Sequence, residues 1–250
     1  MLLVIDIGNT NITLGIYEKD NLLGIHRIET NVCYSRKDYE LILKEQLAKY
    51  KISKIFVGSV VEELNDIIPE ACKNVFGIEA LMFSSHLNTG VKLDISNPES
   101  VGSDRIANAY YALKNYHVPC IVVDLGSATT FDIISADGKF IGGIIMPGIN
   151  MQLEALHEKT SKLPKIKIQD VENVVGIDTQ SAILSGVIRG HACAIEGLIE
   201  HCEKELNQKV TIIATGGLAN CVAKYMNRKF LKINPTLTLD GFKELYYLNI

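Results

Sequence analysis

Leu2–Gly15 reads LLVIDIGNTNITLG. Four apolar residues, Leu2 to Ile5, describe a fully buried strand that ends at Asp6, and the chain then runs through Gly8, Asn9 and Thr10 into a second strand. A carboxylate therefore stands where a strand gives way to a hairpin turn. Around it lie backbone amides that Gly8 leaves unshielded and the small polar side chains of Asn9 and Thr10, a combination suited to phosphate oxygens and a hydrated divalent cation.

The stretch has an echo 118 positions further on, where Val122–Gly142 reads VVDLGSATTFDIISADGKFIG. Asp124 falls on Asp6, Gly126 on Gly8, Thr129 on Asn11 and Gly142 on Gly24. In both copies an apolar strand, Asp-x-Gly, a second strand, a polar turn (Glu18 to Asn21; Asp137 to Lys139) and a third strand follow in order. One Asp-x-Gly is often only a turn, but two in register point to a duplicated chain. The expected fold is α/β, with two related domains of mixed sheet and flanking helices, 1–117 and 118–250, hinged at Val118-Pro119.

With 250 residues, 22% of them charged and 47% hydrophobic, and a net charge of −4, the composition is that of an ordinary globular protein. A basic footprint for nucleic acid is missing. Cys33, Cys72, Cys120, Cys193, Cys202 and Cys221 show no C-x-x-C spacing, which indicates free thiols in a reducing cytoplasm rather than a zinc site or disulfide framework. No secretory signal or run of membrane-spanning length is expected.

Along the chain, Leu22–Glu29 reads as a third strand, 38–50 as a helix, Lys54–Ser59 as a buried strand, 62–76 as a helix, 80–84 as a short strand and 86–98 as an irregular loop. In the second half the expected elements are helices over 151–160 and 179–207, a loop over 162–175, a strand over 210–214 and a closing helix over 237–250. Ser103 or Asp104 is either the N-cap of a helix over 106–116 or, in Asp104, a carboxylate beside Arg105 placed to accept a hydroxyl proton while the arginine pairs with an anion. Gly216-Gly217 is either a tight strand-to-helix turn or a place where a flat ligand approaches the backbone.

No Walker loop, G-x-G-x-x-G, G-x-S-x-G or H-E-x-x-H is present. Paired Asp-x-Gly hairpins with a later Gly-Gly resemble the acetate and sugar kinase, Hsp70 and actin superfamily, which implies two ribonuclease H-like, actin-like ATPase domains closing on ATP. Within it the chain closely resembles type III pantothenate kinase. That likeness rests on Asp6–Asn11, Asn97-Pro98 with Gly102–Arg105, Asp124–Asp132, Pro147-Gly148, Gly176 with Thr179, and Gly216-Gly217.

The resemblance implies ATP-dependent phosphorylation of pantothenate, with roles residue by residue. Asp6, Ile7, Gly8, Asn9, Thr10, Asn11, Ile12 and Thr13 would form the first phosphate loop, with Asp6 near magnesium. Asp104 would accept the hydroxyl proton, and Gly102, Ser103, Arg105 and Thr179 would line the pantothenate site. Asp124 would hold a monovalent cation, potassium or ammonium, Ser127 would touch ATP, and Gly216 and Gly217 would border the nucleoside. The chain departs from the family where Ser127 replaces the usual Thr, Ser103 the usual Ala, and Ile95 a substrate-contacting Tyr. Members are homodimers with active sites near the interface, and the glycines at 186, 190 and 197 suit close helix packing between subunits. The rival reading is a non-catalytic transcriptional accessory protein on the same fold; Asp6, Asp104, Arg105 and Asp124 favour the enzyme.

Overall fold

The computed structural model describes residues 1–84 and 86–250. Its strands are β1 (Leu2–Ile7), β2 (Asn11–Glu18), β3 (Asn21–Glu29), β4 (Lys54–Ser59), β5 (Leu81–Met82), β6 (Lys92–Leu93), β7 (Cys120–Leu125), β8 (Ala128–Ile134), β9 (Lys139–Pro147), β10 (Thr211–Thr215) and β11 (Lys232–Ile233). The helices are α1 (Arg36–Leu47), α2 (Ile67–Phe76), α3 (Ser103–Asn115), α4 (Ile149–Glu158), α5 (Thr179–Leu184), α6 (Gly190–Leu206), α7 (Ala219–Ala223) and α8 (Leu237–Leu248). One compact unit comprises Met1–Lys92, Ser96–Tyr111 and Leu237–Ile250, and the other Leu93–Ile95 and Ala112–Thr236. These are not the continuous halves 1–117 and 118–250. The division falls inside α3, ahead of Val118-Pro119, and α8 belongs with the first unit because its apolar side chains complete that unit's core.

In the first unit the strand order is β3-β2-β1-β4-β5, with β1 antiparallel to β2 and parallel to β4. Because both faces of β1 are covered, its residues are apolar without alternation. Leu3, Ile5 and Ile7 pack with Tyr39, Leu43 and Leu47 of α1. On the other face α8 sets Phe242 against Phe56, ring centroids 5.8 Å apart, and Thr238 of α8 donates to Asn108 of α3 at 2.8 Å. The second unit has the order β11-β10-β7-β8-β9-β6, and its core joins Ile121, Val123, Leu125 and Phe131 to α4 and α6.

Strand registers confirm the duplication and correct its alignment. Asp6 lies opposite Thr13 on β2 and Gly58 on β4; Asp124 lies opposite Thr130 on β8 and Thr215 on β10. The second hairpin turn is one residue shorter than the first, so Thr129 takes the place of Ile12 and not of Asn11. The next turn is one residue longer in the second copy, which restores Gly142 to the place of Gly24. At that point both sheets carry the same bulge, skipping Leu23 in one and Ile141 in the other.

Other boundaries move for local reasons. Helix α1 begins at Arg36 because Ser35 and Asp38 form a capping box, and the helix expected over 62–76 is a 3-10 turn, Glu62–Leu64, before α2. The loop over 86–98 contains β6, an edge strand continued by Asp94, whose N–H donates to Phe140 at 2.8 Å. The long helix of the second unit passes through a π-helical turn, Ser185–Arg189. Contrary to the expectation of no membrane-length run, Thr179–Leu206 is long and apolar enough by length and composition, because its glycines and alanines dilute the charges; its inner face is packed into the core through Leu184, Ile188, Ile195 and Ile199.

Candidate active site

In the first unit the hairpin after β1 separates two kinds of residue. Ile7 and Ile12 are buried in the core, while Asn9, Thr10 and Asn11 are exposed and Asp6 is half-buried. The turn is closed by Gly8 N–H to Asn11 O at 3.1 Å, and Thr30 pins it from β3's end: its N–H donates to Thr10 O and its hydroxyl to Gly8 O at 2.6 Å. Thr30 escaped the sequence reading, since a threonine after a strand carries no signature of its own.

The head of α3 is docked on the same end of this sheet. Ser103 is buried, and its hydroxyl donates to the carbonyl of Ser59, the residue paired with Ile7. Neither Ser103 nor Asp104 is the N-cap: both lie inside the helix, and the carbonyl that accepts the first helical amides, those of Arg105 and Ile106, belongs to Gly102. Asp104 Oδ1 accepts the N–H of Arg105 at 2.8 Å. Burial pushes the Asp104 carboxyl above the ordinary aspartate range, against the opposing pull of the Arg105 amide and charge. The structure thus assembles Asp6, the exposed hairpin residues and Gly102–Arg105 in one unit.

In the second unit Asp124 is half-buried and Gly126 and Ser127 are exposed. Here the residue equivalent to Thr30 is Gly148, whose N–H donates to Ser127 O at 3.1 Å; a Cβ at Gly148 would stand 2.2 Å from that oxygen, so only glycine allows the approach. Gly216 has φ +89° and would place a Cβ 2.5 Å from the backbone of Leu125, which brings the β10 turn against the base of the hairpin. At Gly217 a Cβ would meet nothing within 4 Å, so this glycine presents an open face. Asp124, Ser127, Gly216 and Gly217 therefore share one end of the second sheet.

Thr179 stands apart from that group. It is exposed at the start of α5, after the cap Asp178, and lines a groove of about 680 Å³ with Val175, Gly176 and Ser181. Behind the second hairpin the buried Thr129 and His191 join the half-buried Gln152 in a polar cluster that sequence inspection did not connect, the histidine held below its usual pKa by burial.

A sequence profile described as type III pantothenate kinase matches residues 2–201. Over its whole length the chain is 41% identical to a type III pantothenate kinase of Finegoldia magna, covering 98% of that protein. The chain belongs to the type III pantothenate kinase family. A type III pantothenate kinase of Bacillus cytotoxicus is 36% identical over the whole of this chain and 97% of its own length. Among solved structures, a Baf family transcriptional activator from Campylobacter jejuni superposes with a TM-score of 0.63 at 23% identity, over 98% of this chain and 97% of that one. A ROK family glucokinase of Streptomyces griseus, in complex with glucose and AMPPNP, gives 0.53 at 12% identity over 97% and 98%. At these identities the likeness is one of fold: an α/β chain of two duplicated ribonuclease H-like, actin-like ATPase units.

Proposed function

We propose that the chain transfers the γ-phosphoryl group of ATP to the primary hydroxyl of pantothenate, giving 4′-phosphopantothenate, the first step toward coenzyme A. The observation that carries this reading is the half-buried Asp104 carboxyl beside Arg105 at the head of α3, in a chain that matches a type III pantothenate kinase over its whole length. Asp104 orients the hydroxyl and takes its proton, Arg105 pairs with an anionic group of the substrate, and Gly102 and Ser103 complete that site on the first unit. The exposed side chains of Asn9, Thr10 and Asn11 in the first unit's turn hold phosphate oxygens; in the second unit Ser127 offers a hydroxyl to the nucleotide, and Gly216 turns the chain so that the open face of Gly217 admits the nucleoside.

Among the described residues no three His, Cys, Asp or Glu side chains cluster as a metal cage. A magnesium ion carried by nucleotide phosphates needs only one or two carboxylates, so the half-buried Asp6 fits it. Asp124, a hard oxygen donor at the second hairpin, likewise fits potassium or ammonium. When bound, such ions neutralise charge on the phosphates, while positioning by the chain supplies the rest of the rate.

Purified protein with ATP, magnesium, potassium and pantothenate is expected to yield phosphopantothenate by ³¹P NMR. Nucleotide binding without that product would favour the non-catalytic regulator. Asp124→Asn should weaken the response of turnover to potassium more than it lowers thermal stability; equal wild-type activity in sodium alone counts against this role.

The reading includes a two-fold homodimer joined through the second unit. Supporting it, a Cβ at Gly186, Gly190 or Gly197 would meet nothing within 4 Å in its own chain, and Val175 and Ile177 are 78% and 93% exposed. Gly190→Arg is expected to disrupt association and weaken pantothenate binding while the subunit stays folded. A wild-type monomer, fully active by light scattering and assay at one concentration, would defeat the dimer.

A further inference from the structure

Resting on the nucleotide role just given to Ser127, we propose that His191 is a positioning residue that sets the shape of the second phosphate hairpin from behind, holding Thr129 directly and Pro147 through Gln152.

The polarity of the network follows from its geometry. Gln152 Nε2 lies 2.8 Å from Pro147 O and 2.9 Å from His191 Nδ1. A carbonyl only accepts, so Gln152 turns its NH₂ toward both partners, and Nδ1 must offer a lone pair. The imidazole proton then sits on Nε2 and is donated to Thr129 Oγ1 at 2.9 Å. With 2% of His191 and 1% of Thr129 exposed and both ring nitrogens engaged, the histidine has no access to a reacting atom.

What it can reach is the hairpin. Ala128 pairs with Pro147, and Thr129 with Met146, so the two anchored residues flank the strand pair that projects Ser127. Comparison of the two copies shows why the anchor is needed. In the first, the Thr30 hydroxyl holds the turn at Gly8 O; in the second, the equivalent residue is Gly148, which has no hydroxyl to give. In the first, the place of Thr129 is taken by the buried, apolar Ile12. A hydroxyl in that core position is costly unless paired, and here its partner leads through His191 and Gln152 back to the opposite strand.

The test uses the full chain and three variants: Thr129→Val, Gln152→Leu and His191→Phe. Calorimetric titration with a non-hydrolysable ATP analogue should show about a tenfold loss of affinity in Thr129→Val and His191→Phe, the scale of one lost buried hydrogen bond, and a smaller loss in Gln152→Leu, whose bonds are partly exposed. The KM for ATP should rise in parallel, with kcat and the KM for pantothenate within about threefold of wild type. Thr129→Val/His191→Phe should lose no more than the worse single variant, since both cut one chain. The ¹⁵N shifts of the wild-type ring should report the Nε2–H tautomer. Folded variants with wild-type analogue affinity and only a lowered Tm, or a ring protonated at Nδ1, would overturn the inference. If His191→Phe does not fold, the near-isosteric Thr129→Val decides. A wild-type protein that binds the analogue yet leaves pantothenate unmodified removes the proposed acceptor, and the same titrations still judge the anchor.

Discussion

Asp104→Asn is expected to lower turnover by about 10² to 10⁴ while leaving nucleotide binding nearly unchanged and the fold no less stable. The side chain keeps its shape and its contact with the Arg105 amide but loses the ability to take a proton. Because burial raises the carboxyl's pKa in the folded chain above the unfolded value, its contribution to stability is fully present below the unfolded pKa and is lost as pH rises through the folded one. At neutral pH the wild type therefore bears the cost of a partly desolvated charge, and the neutral amide relieves it. The variant's Tm should equal or exceed the wild type's at pH 7, with the gap closing in acid. Wild-type kcat should fall on the acid side with an inflection above the ordinary aspartate range. Undiminished turnover in the Asn variant would reduce Asp104 to a structural group at the helix head.

The largest expected loss of stability lies elsewhere, at Glu203 of α6. This carboxylate is buried, accepts from Arg228 at 2.6 Å, from Lys209 at 2.8 Å and from the Val210 amide at 3.0 Å, and its pKa is lowered to about 2, chiefly by Arg228. Glu203→Ala leaves the buried Val210 N–H without its acceptor and takes a charged partner from Arg228, which retains the Val210 carbonyl, at a cost of about 2 kcal/mol, or roughly 4–8 °C in Tm for a chain of this size. A depressed folded pKa contributes stability above the unfolded value and loses it as pH falls toward the folded one. The Tm difference between wild type and variant should thus be full at pH 7 and shrink between about pH 4 and 2. A constant difference across that window would mean that packing rather than charge is at stake.

How far the sequence could be read depended on the physics of each feature. Strands β1, β4 and β7 were legible because burial on both faces leaves an unbroken apolar run, and α8 because its apolar residues recur at helical spacing. The short strand expected over 80–84 is β5, whereas β6 and β11 span two residues each, too few for any period, and exist because a longer neighbour offers them an edge. Gly216 pointed to the candidate site because its φ of +89° demands glycine, and the Asp-x-Gly pairs did so by recurring in matching strand positions. Thr30, Gln152 and His191 gave no such signal: each matters through a partner distant in sequence, and a polar residue in a helix looks the same whether it faces water or a buried threonine. The one-residue trade between the two turns was equally hidden, since a gapless alignment cannot see a strand that has slid as a block.

The return of α8 to the first unit has a bearing on how the chain is made. The second unit ends at Thr236, whereas the first lacks Leu239, Phe242 and Leu245 of its core until α8 is added. During synthesis, the half of the molecule that leaves the ribosome first is the half whose interior is closed last, and the second unit is fully translated in the interval. A stop ahead of α8, or a substitution within it, consequently bears on the unit that carries the hairpin of Asp6 and the helix head of Asp104, encoded far upstream.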